Sequence, residues 1–263
     1  MACGFRSNRF IPRLEVLNER ALPSVTAEVD GGILRILGDQ RANDIVVNDN
    51  GTDGTDAITV TVDGVPLDFT LTEAVTKVVV RAGGQVDTVT YNLTGDFATT
   101  RKVDVWLGNQ DDTFNGNLGA WAVAADGDLT LLVHGCNGQD ILNVTGTGNV
   151  DGNLTVKLYG GNGKDDVGVD LAGVFNGTID LLVFGGNGKD VVRGHLAAAT
   201  GSAGTVTAKV CGANGVDDLG LMVDGDGVDG LTVDAQLRGG NGKDVFDPTV
   251  ISANVEIVDM QPH

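Results

Sequence analysis

One short turn sequence returns again and again along this chain. "GGNGKD" occupies residues 160–165, 185–190 and 239–244, and the variants "GCNGQD" and "GANGVD" occupy 135–140 and 212–217. The residues just before these turns, together with two weaker relatives, are Arg81, Trp106, His134, Tyr159, Phe184, Cys211 and Arg238, spaced 25 to 28 residues apart. Six positions after each stands an aspartate: Asp87, Asp112, Asp140, Asp165, Asp190, Asp217 and Asp244. An earlier relative, "LGDQRANDIVV" at 37–47, reads as the same turn with one extra residue, ending on Asp44. Glycine lets the backbone turn where a side chain would clash, and aspartate is at home in turns. A fixed period of this length is the mark of a solenoid.

The segments between the turns support that reading. Upstream of each turn an aliphatic residue alternates with a mixed one, as in Val103-Asp104-Val105 and Val156-Lys157-Leu158. Downstream, Val89, Phe114, Leu142, Val167, Val192, Leu219 and Phe246 take the same offset from the aspartate. Leu93, Leu118, Leu171, Leu196, Val223 and Val250 follow four residues on, with Gly146 breaking the series. Alternation of period two predicts half-buried strands. No repeat carries an amphipathic helical pattern. The chain is therefore expected to be all-β: a parallel β-solenoid of about eight 25–28-residue coils, with the Gly-Asp turns in a ladder along one edge.

The expected layout is an N-terminal leader or arm over 1–25 and a solenoid domain over 26–263. Residues 57–74, with two alternating runs around "DGVP", predict a β-hairpin inserted in an early coil, and 251–263 predict an end strand. A guarded N-terminal end and a weakly protected C-terminal one would give mainly monomers with some concentration-dependent self-association.

Composition narrows the partners. Thirty-six acidic residues against 17 basic ones give a formal net charge of −19, which disfavours nucleic acid and anionic membranes and favours cations. No apolar run is long enough for a transmembrane helix. The three cysteines, Cys3, Cys136 and Cys211, form no disulfide framework. Cys136 and Cys211 lie three coils apart, roughly 14 Å along the axis, beyond the reach of a disulfide.

Stacking sets each aspartate over its equivalent in the next coil, and a row of like charges repels. Either a hard divalent cation sits between successive turns, or each carboxylate turns back to cap amides of its own turn.

The turns also resemble a known motif. "GGNGKDVVR" (185–193), "GGNGKDVFD" (239–247) and "GGNGKDDVG" (160–168) match the G-G-x-G-x-D-x-U-x nonapeptide of the RTX calcium-binding β-roll family, where U is a large apolar residue. "GCNGQDILN" (135–143) and "GANGVDDLG" (212–220) lose only the second glycine. The resemblance implies Ca2+ held by the carboxylates of Asp140, Asp165, Asp190, Asp217 and Asp244, with carbonyls from Gly135, Gly160, Gly185, Gly212 and Gly239. RTX rolls place two nonapeptides in each coil and this chain places one, so calcium would line a single edge. The turns at 82–87 and 107–112 lack the second spaced glycine and fall outside the implied ligand set. "PRLEVLNERALPS" at 12–24 resembles a leader found on surface or exported proteins of planctomycete bacteria, with Asn18 where a glutamate is usual. That resemblance implies an extracellular or cell-surface protein.

No unique catalytic cluster is apparent, because the carboxylates recur identically in every coil. His195, after "RG", reads as a loop residue. The expected role is structural or adhesive, not enzymatic. The alternative is a carbohydrate-binding or carbohydrate-active β-helix: Trp106, His134, Tyr159 and Phe184 share one outward position on consecutive coils and would form a strip of rings able to hold a surface polysaccharide. Ice binding is disfavoured, since the outward position at Lys77, Lys102, Thr130, Thr155 and Asp180 is too mixed.

Overall fold

The computed structural model describes residues 25–224 and 230–250. The leader over 1–24, the end strand over 251–263, Cys3 and His263 lie outside the described residues.

In chain order the strands begin with β1 (Thr26–Asp30), β2 (Ile33–Leu37), β3 (Asp44–Asp49), β4 (Ile58–Val62), β5 (Val65–Pro66), β6 (Lys77–Gly84) and β7 (Thr88–Leu93). They continue with β8 (Thr100–Asn109), β9 (Thr113–Gly119), β10 (Asp128–Asn137), β11 (Ile141–Gly146), β12 (Asn153–Gly163) and β13 (Asp166–Gly173). The remainder are β14 (Thr178–Gly188), β15 (Val191–Ala198), β16 (Thr205–Gly215), β17 (Asp218–Asp224), β18 (Thr232–Asn241) and β19 (Val245–Val250). Among the described residues there is no helix, and none long and apolar enough to cross a membrane.

Two sheets run the length of the rod. One orders β1-β2-β6-β8-β10-β12-β14-β16-β18, and the other orders β19-β17-β15-β13-β11-β9-β7-β3-β4-β5. From β2 and β3 onward the neighbouring strands of successive coils pair in parallel, in register except for one shift between β9 and β11. This is the expected parallel β-solenoid. It closes about six turns, fewer than the eight coils expected. The reason is at the ends: the first β2–β3 coil runs into the antiparallel β4–β5 insert, and the last is described only as far as β19.

The inward positions form columns. Val103, Leu131, Val156, Leu181 and Ala208 stack residue on residue and are 1 % exposed or less. Val89, Phe114, Leu142, Val167, Val192 and Leu219 form the equivalent column in the second sheet. A third column completes the core where the sequence suggested only variable corners: Phe97, Val123, Val150 and Phe175 meet through isolated parallel bridges and are buried. Gly146 interrupts its column because Leu118 and Leu171 close over it, and the register shifts at that point. No coil could bury these faces alone, so stacking is the source of stability.

The N-terminal end of both sheets is covered by antiparallel strands, β1 on β2 and β4 on β3. Within the 57–74 segment β4 and the two-residue β5 pair antiparallel around Asp63-Gly64, and no second strand continues beyond Pro66. A buried charge pins this region down. Arg101 occupies an inward position, 1 % exposed, and its guanidinium meets the buried Asp49 carboxylate at 2.6 Å. It also donates to the carbonyls of Val75 and Thr52, both at 2.9 Å, while Tyr91 Oη donates to Asp49 Oδ2 at 2.7 Å.

The turn sequence is explained by coil-on-coil contact. The fourth turn residue, such as Gly188, has a φ of +151°, and a Cβ there would fall on the carbonyl of Gly163 below. The second turn position is left-handed throughout, yet Cys136 and Ala213 hold it at φ +80° and +88°. A left-handed L-residue costs roughly 1–2 kcal/mol.

Two outcomes follow from this packing. Cys136→Gly and Ala213→Gly should each stabilise the fold by about 1 kcal/mol, read as a higher melting temperature. Arg101→Ala should destabilise it by about 3 kcal/mol or more, because the Asp49 charge is left buried without its cation. Urea unfolding of the variants beside the wild type measures both.

The aspartate column as a candidate cation site

The corner that carries the repeated aspartate is where sheet pairing breaks. Strands β10, β12, β14 and β16 pair into the turn as far as its third or fourth residue, and pairing resumes only after the aspartate. The aspartate amide in between needs an acceptor, since a buried N–H without one is costly.

That acceptor comes from the next coil. The amide of Asp87 donates to Asp112 Oδ1 at 2.7 Å, Asp112 to Asp140 at 2.8 Å, and Asp140 to Asp165 at 2.9 Å. Asp165 donates to Asp190 and Asp190 to Asp217, both at 2.9 Å, and Asp217 to Asp244 at 3.0 Å. The capped amide therefore belongs to the neighbouring coil and not to the aspartate's own turn. The column starts at Asn43, whose amide donates to Asp87 Oδ1 at 2.8 Å, so Asn43 and not Asp44 is the first member. The turn at 37–43 carries no extra residue: Leu37 pairs with Arg81, and Asp44 pairs with Thr88.

Each carboxylate has a second oxygen, and there the accounting fails. Oδ2 of Asp87, Asp112, Asp140, Asp165, Asp190 and Asp217 is buried with no hydrogen-bond partner. Burial, only partly offset by the amide each carboxylate accepts, pushes Asp112 and Asp165 up to about 7, and Asp87, Asp140 and Asp217 up to about 6. Asp190 is raised for the same reason.

The first turn glycine makes room for this oxygen. A Cβ on Gly160 would lie 2.6 Å from Asp165 Oδ2 and 2.5 Å from the Gly185 carbonyl oxygen; on Gly185 it would lie 2.7 Å from Asp190 Oδ2 and 3.0 Å from the Gly212 carbonyl. The same pairing recurs for Asp140 with Gly160 and for Asp217 with Gly239. Asp244 Oδ2 likewise faces Gly239. The structure thus brings Asp140, Asp165, Asp190 and Asp217 beside the carbonyls of Gly160, Gly185, Gly212 and Gly239 one coil on, while Asp244 and the Gly135 carbonyl are not paired in this way. In the two early turns Ala82 and Leu107 occupy the glycine position, and their side chains fill the space.

These cradles fit a hard cation in kind, since the donors are an unpartnered carboxylate oxygen and a main-chain carbonyl. No cluster of three or more acidic, histidine or cysteine side chains exists among the described residues. A calcium ion, which takes six to eight oxygens, would have to draw the remainder from other carbonyls of the same turns.

Two further ladders flank the column. Asn137, Asn162, Asn187, Asn214 and Asn241 each donate through Nδ2 to Oδ1 of the preceding asparagine, at 2.7 to 3.0 Å, beginning at Asn109. This ladder was open to view as the third turn residue of nearly every repeat. Trp106 stacks on His134 with centroids 4.0 Å apart, and His134 on Tyr159 at 5.0 Å. Tyr159 and Phe184 are 6.1 Å apart and tilted by 52°. The four rings expected in a strip are together. Their faces are turned to one another, with Arg81 over the far side of Trp106. Burial lowers the His134 pKa.

The remaining candidates stand apart. His195 is on strand β15 and not in a loop, with Nδ1 2.7 Å from Asp170 Oδ1 on the sheet opposite the aromatic strip. Cys136 and Cys211 are free thiols whose pKa values burial pushes up, away from reactivity. No protein-family model, curated protein or solved structure matches this chain at a significant level.

The raised carboxyls set the direction of pH dependence. The folded chain holds protons that the unfolded chain, with ordinary aspartates near 3.8, has already lost. Their contribution is complete below about pH 4 and is lost as pH rises through 6 to 7. In chelator, the melting temperature should therefore fall between pH 5 and pH 8, at about those values. A flat or rising profile would show that the column carries no bound protons.

Proposed function

We propose that this chain is an exported, non-catalytic β-solenoid that serves as a rigid structural or adhesive element at the cell exterior, with calcium as the ion of its aspartate column. The observation that carries the reading is the row of buried, unpartnered Oδ2 atoms, four of which, on Asp140, Asp165, Asp190 and Asp217, lie beside a glycine carbonyl of the next coil. A cation there supplies charge neutralisation that protons provide only at lower pH. Asp140, Asp165, Asp190 and Asp217, with the carbonyls of Gly160, Gly185, Gly212 and Gly239, would hold it. The uniform repetition of these groups supports a structural role over catalysis, because a catalytic site needs unlike groups converging once. The leader resemblance at 12–24 supports export.

Thermal melts at pH 8 with and without calcium test the ion. Calcium should raise the melting temperature, because a ligand that binds only the folded state stabilises it by mass action. Asp190→Asn keeps the Oδ1 acceptor while removing the charge, so it should blunt the calcium response and raise stability in chelator. Asp87→Asn, whose cradle is filled by Ala82, should leave the calcium response intact. Identical melts with calcium and with chelator would end the calcium reading. Fractionation of cells expressing the tagged full-length chain tests export separately.

A further inference from the structure

The ring ladder stops abruptly. Trp106, His134, Tyr159 and Phe184 lie in register, but the next rung is Cys211 and the one after it Arg238. The Arg238 guanidinium donates along its own strand to Gln236 Oε1 at 3.2 Å. Phe184, with no ring beyond it, is the one member tilted out of the stack, by 52°. Beside it opens a groove of about 410 Å3. Its floor is the backbone of Gly161, Gly186 and Ala213; one wall is the ring edges, and the other is the ladder of Asn162, Asn187 and Asn214.

Three properties of the groove select its occupant. No charged side chain lines it, although the chain carries a formal net charge of −19, so a neutral ligand is favoured over an ion. The ladder bonds use one Nδ2 hydrogen and one Oδ1 lone pair of each asparagine, leaving one donor and one acceptor on every exposed amide. These groups recur once per coil, about 4.8 Å apart, along the rod axis. An extended peptide advances about 3.3 Å per residue and falls out of step with that spacing. A chain of pyranose rings advances by nearly one coil per sugar and stays in step.

We propose that this groove binds a neutral polysaccharide, one sugar ring stacking on Phe184 in the place of the missing rung above Cys211, with hydroxyls bonded to Asn187 and Asn214. The other rings spend their faces on each other, so they contribute edges to the wall and no stacking platform. Phe184 is the stacking residue, and the asparagine ladder is the polar register that follows the chain. This names a ligand class for the adhesive reading above and rests on that reading for its setting, though not for its chemistry.

Titration calorimetry of the full chain with cellohexaose and mannohexaose, with oligogalacturonate as the charged control, tests it. At least one neutral oligosaccharide should bind, and the charged one more weakly. Cys211→Phe completes the ring ladder, so it should keep or raise the melting temperature while weakening sugar binding about tenfold or more. Asn187→Ala should weaken binding as well. Absence of binding by every neutral oligosaccharide to the folded wild type would overturn the proposal, as would a Cys211→Phe variant that binds like wild type. Capture of a tryptophan-containing peptide in place of sugar would also overturn it, assigning the groove to a protein partner. A surface-localised chain that binds no sugar refutes this inference alone, whereas a chain retained inside the cell refutes the exported role.

Discussion

Everything in this rod is organised around one hydrogen bond repeated once per coil, from an aspartate amide to the aspartate carboxylate of the next coil. Sheet pairing cannot follow the chain around the corner, and the amide at the bend would otherwise be buried without an acceptor. Supplying the acceptor from the adjacent coil does more than satisfy that amide. It ties neighbouring turns together at the point where the sheets release them, and so fixes the rise and register with which the inward columns meet. The bond has a cost, because a carboxylate has two oxygens and only the first finds a donor. The glycine of the first turn position belongs to the same arrangement, since a side chain there would collide with the second oxygen.

Much of this was legible in the sequence, and the misses have physical causes. The inward columns and the aspartate and aromatic rows appear as constant offsets in a fixed period, which is all that parallel in-register stacking requires. The partner of each aspartate was harder. An offset says that carboxylates stack, but it does not say whether a carboxylate reaches an amide of its own turn or one 25 to 28 residues away in the neighbouring coil. In sequence Asp44 is the closer chemical match to the repeated aspartate, but the pairing of Leu37 with Arg81 places Asn43 in line. Arg101 sits at an inward position where a charged residue reads as surface, and only the fold supplies Asp49 to neutralise it. His195 read as loop because Gly194 breaks the aliphatic pattern, while in the sheet Leu181, Val210 and Leu221 crowd the space a Cβ there would need. The third core column, from Phe97 to Phe175, was hidden in corners of unequal composition.

In a molecule built by repetition, the informative places are the departures. Ala82 and Leu107 replace glycine in the first two turns, so only the later carboxylates have a glycine beside them. Cys211, next to Phe184 in register, ends the ring ladder. Both departures spare the hydrogen-bonded columns that hold the coils in register. A solenoid can vary in this way because each rung is supported by the backbone ladder beneath it, independently of the identity of the side chain outside.

The same logic joins the charge of the chain to its architecture. A formal net charge of −19 counts every aspartate as ionised, yet six column carboxyls are buried where ionisation is disfavoured. In the folded rod these groups are neutral only if each holds a proton or shares a cation, and the raised pKa values place that choice close to neutral pH. An acidic exterior therefore surrounds a column whose own charge is set by the medium. A surface rich in carboxylates draws cations toward the protein at the pH where the column begins to lose its protons. Exterior acidity and interior column thus answer to the same medium, the one by attracting counter-ions and the other by losing its protons.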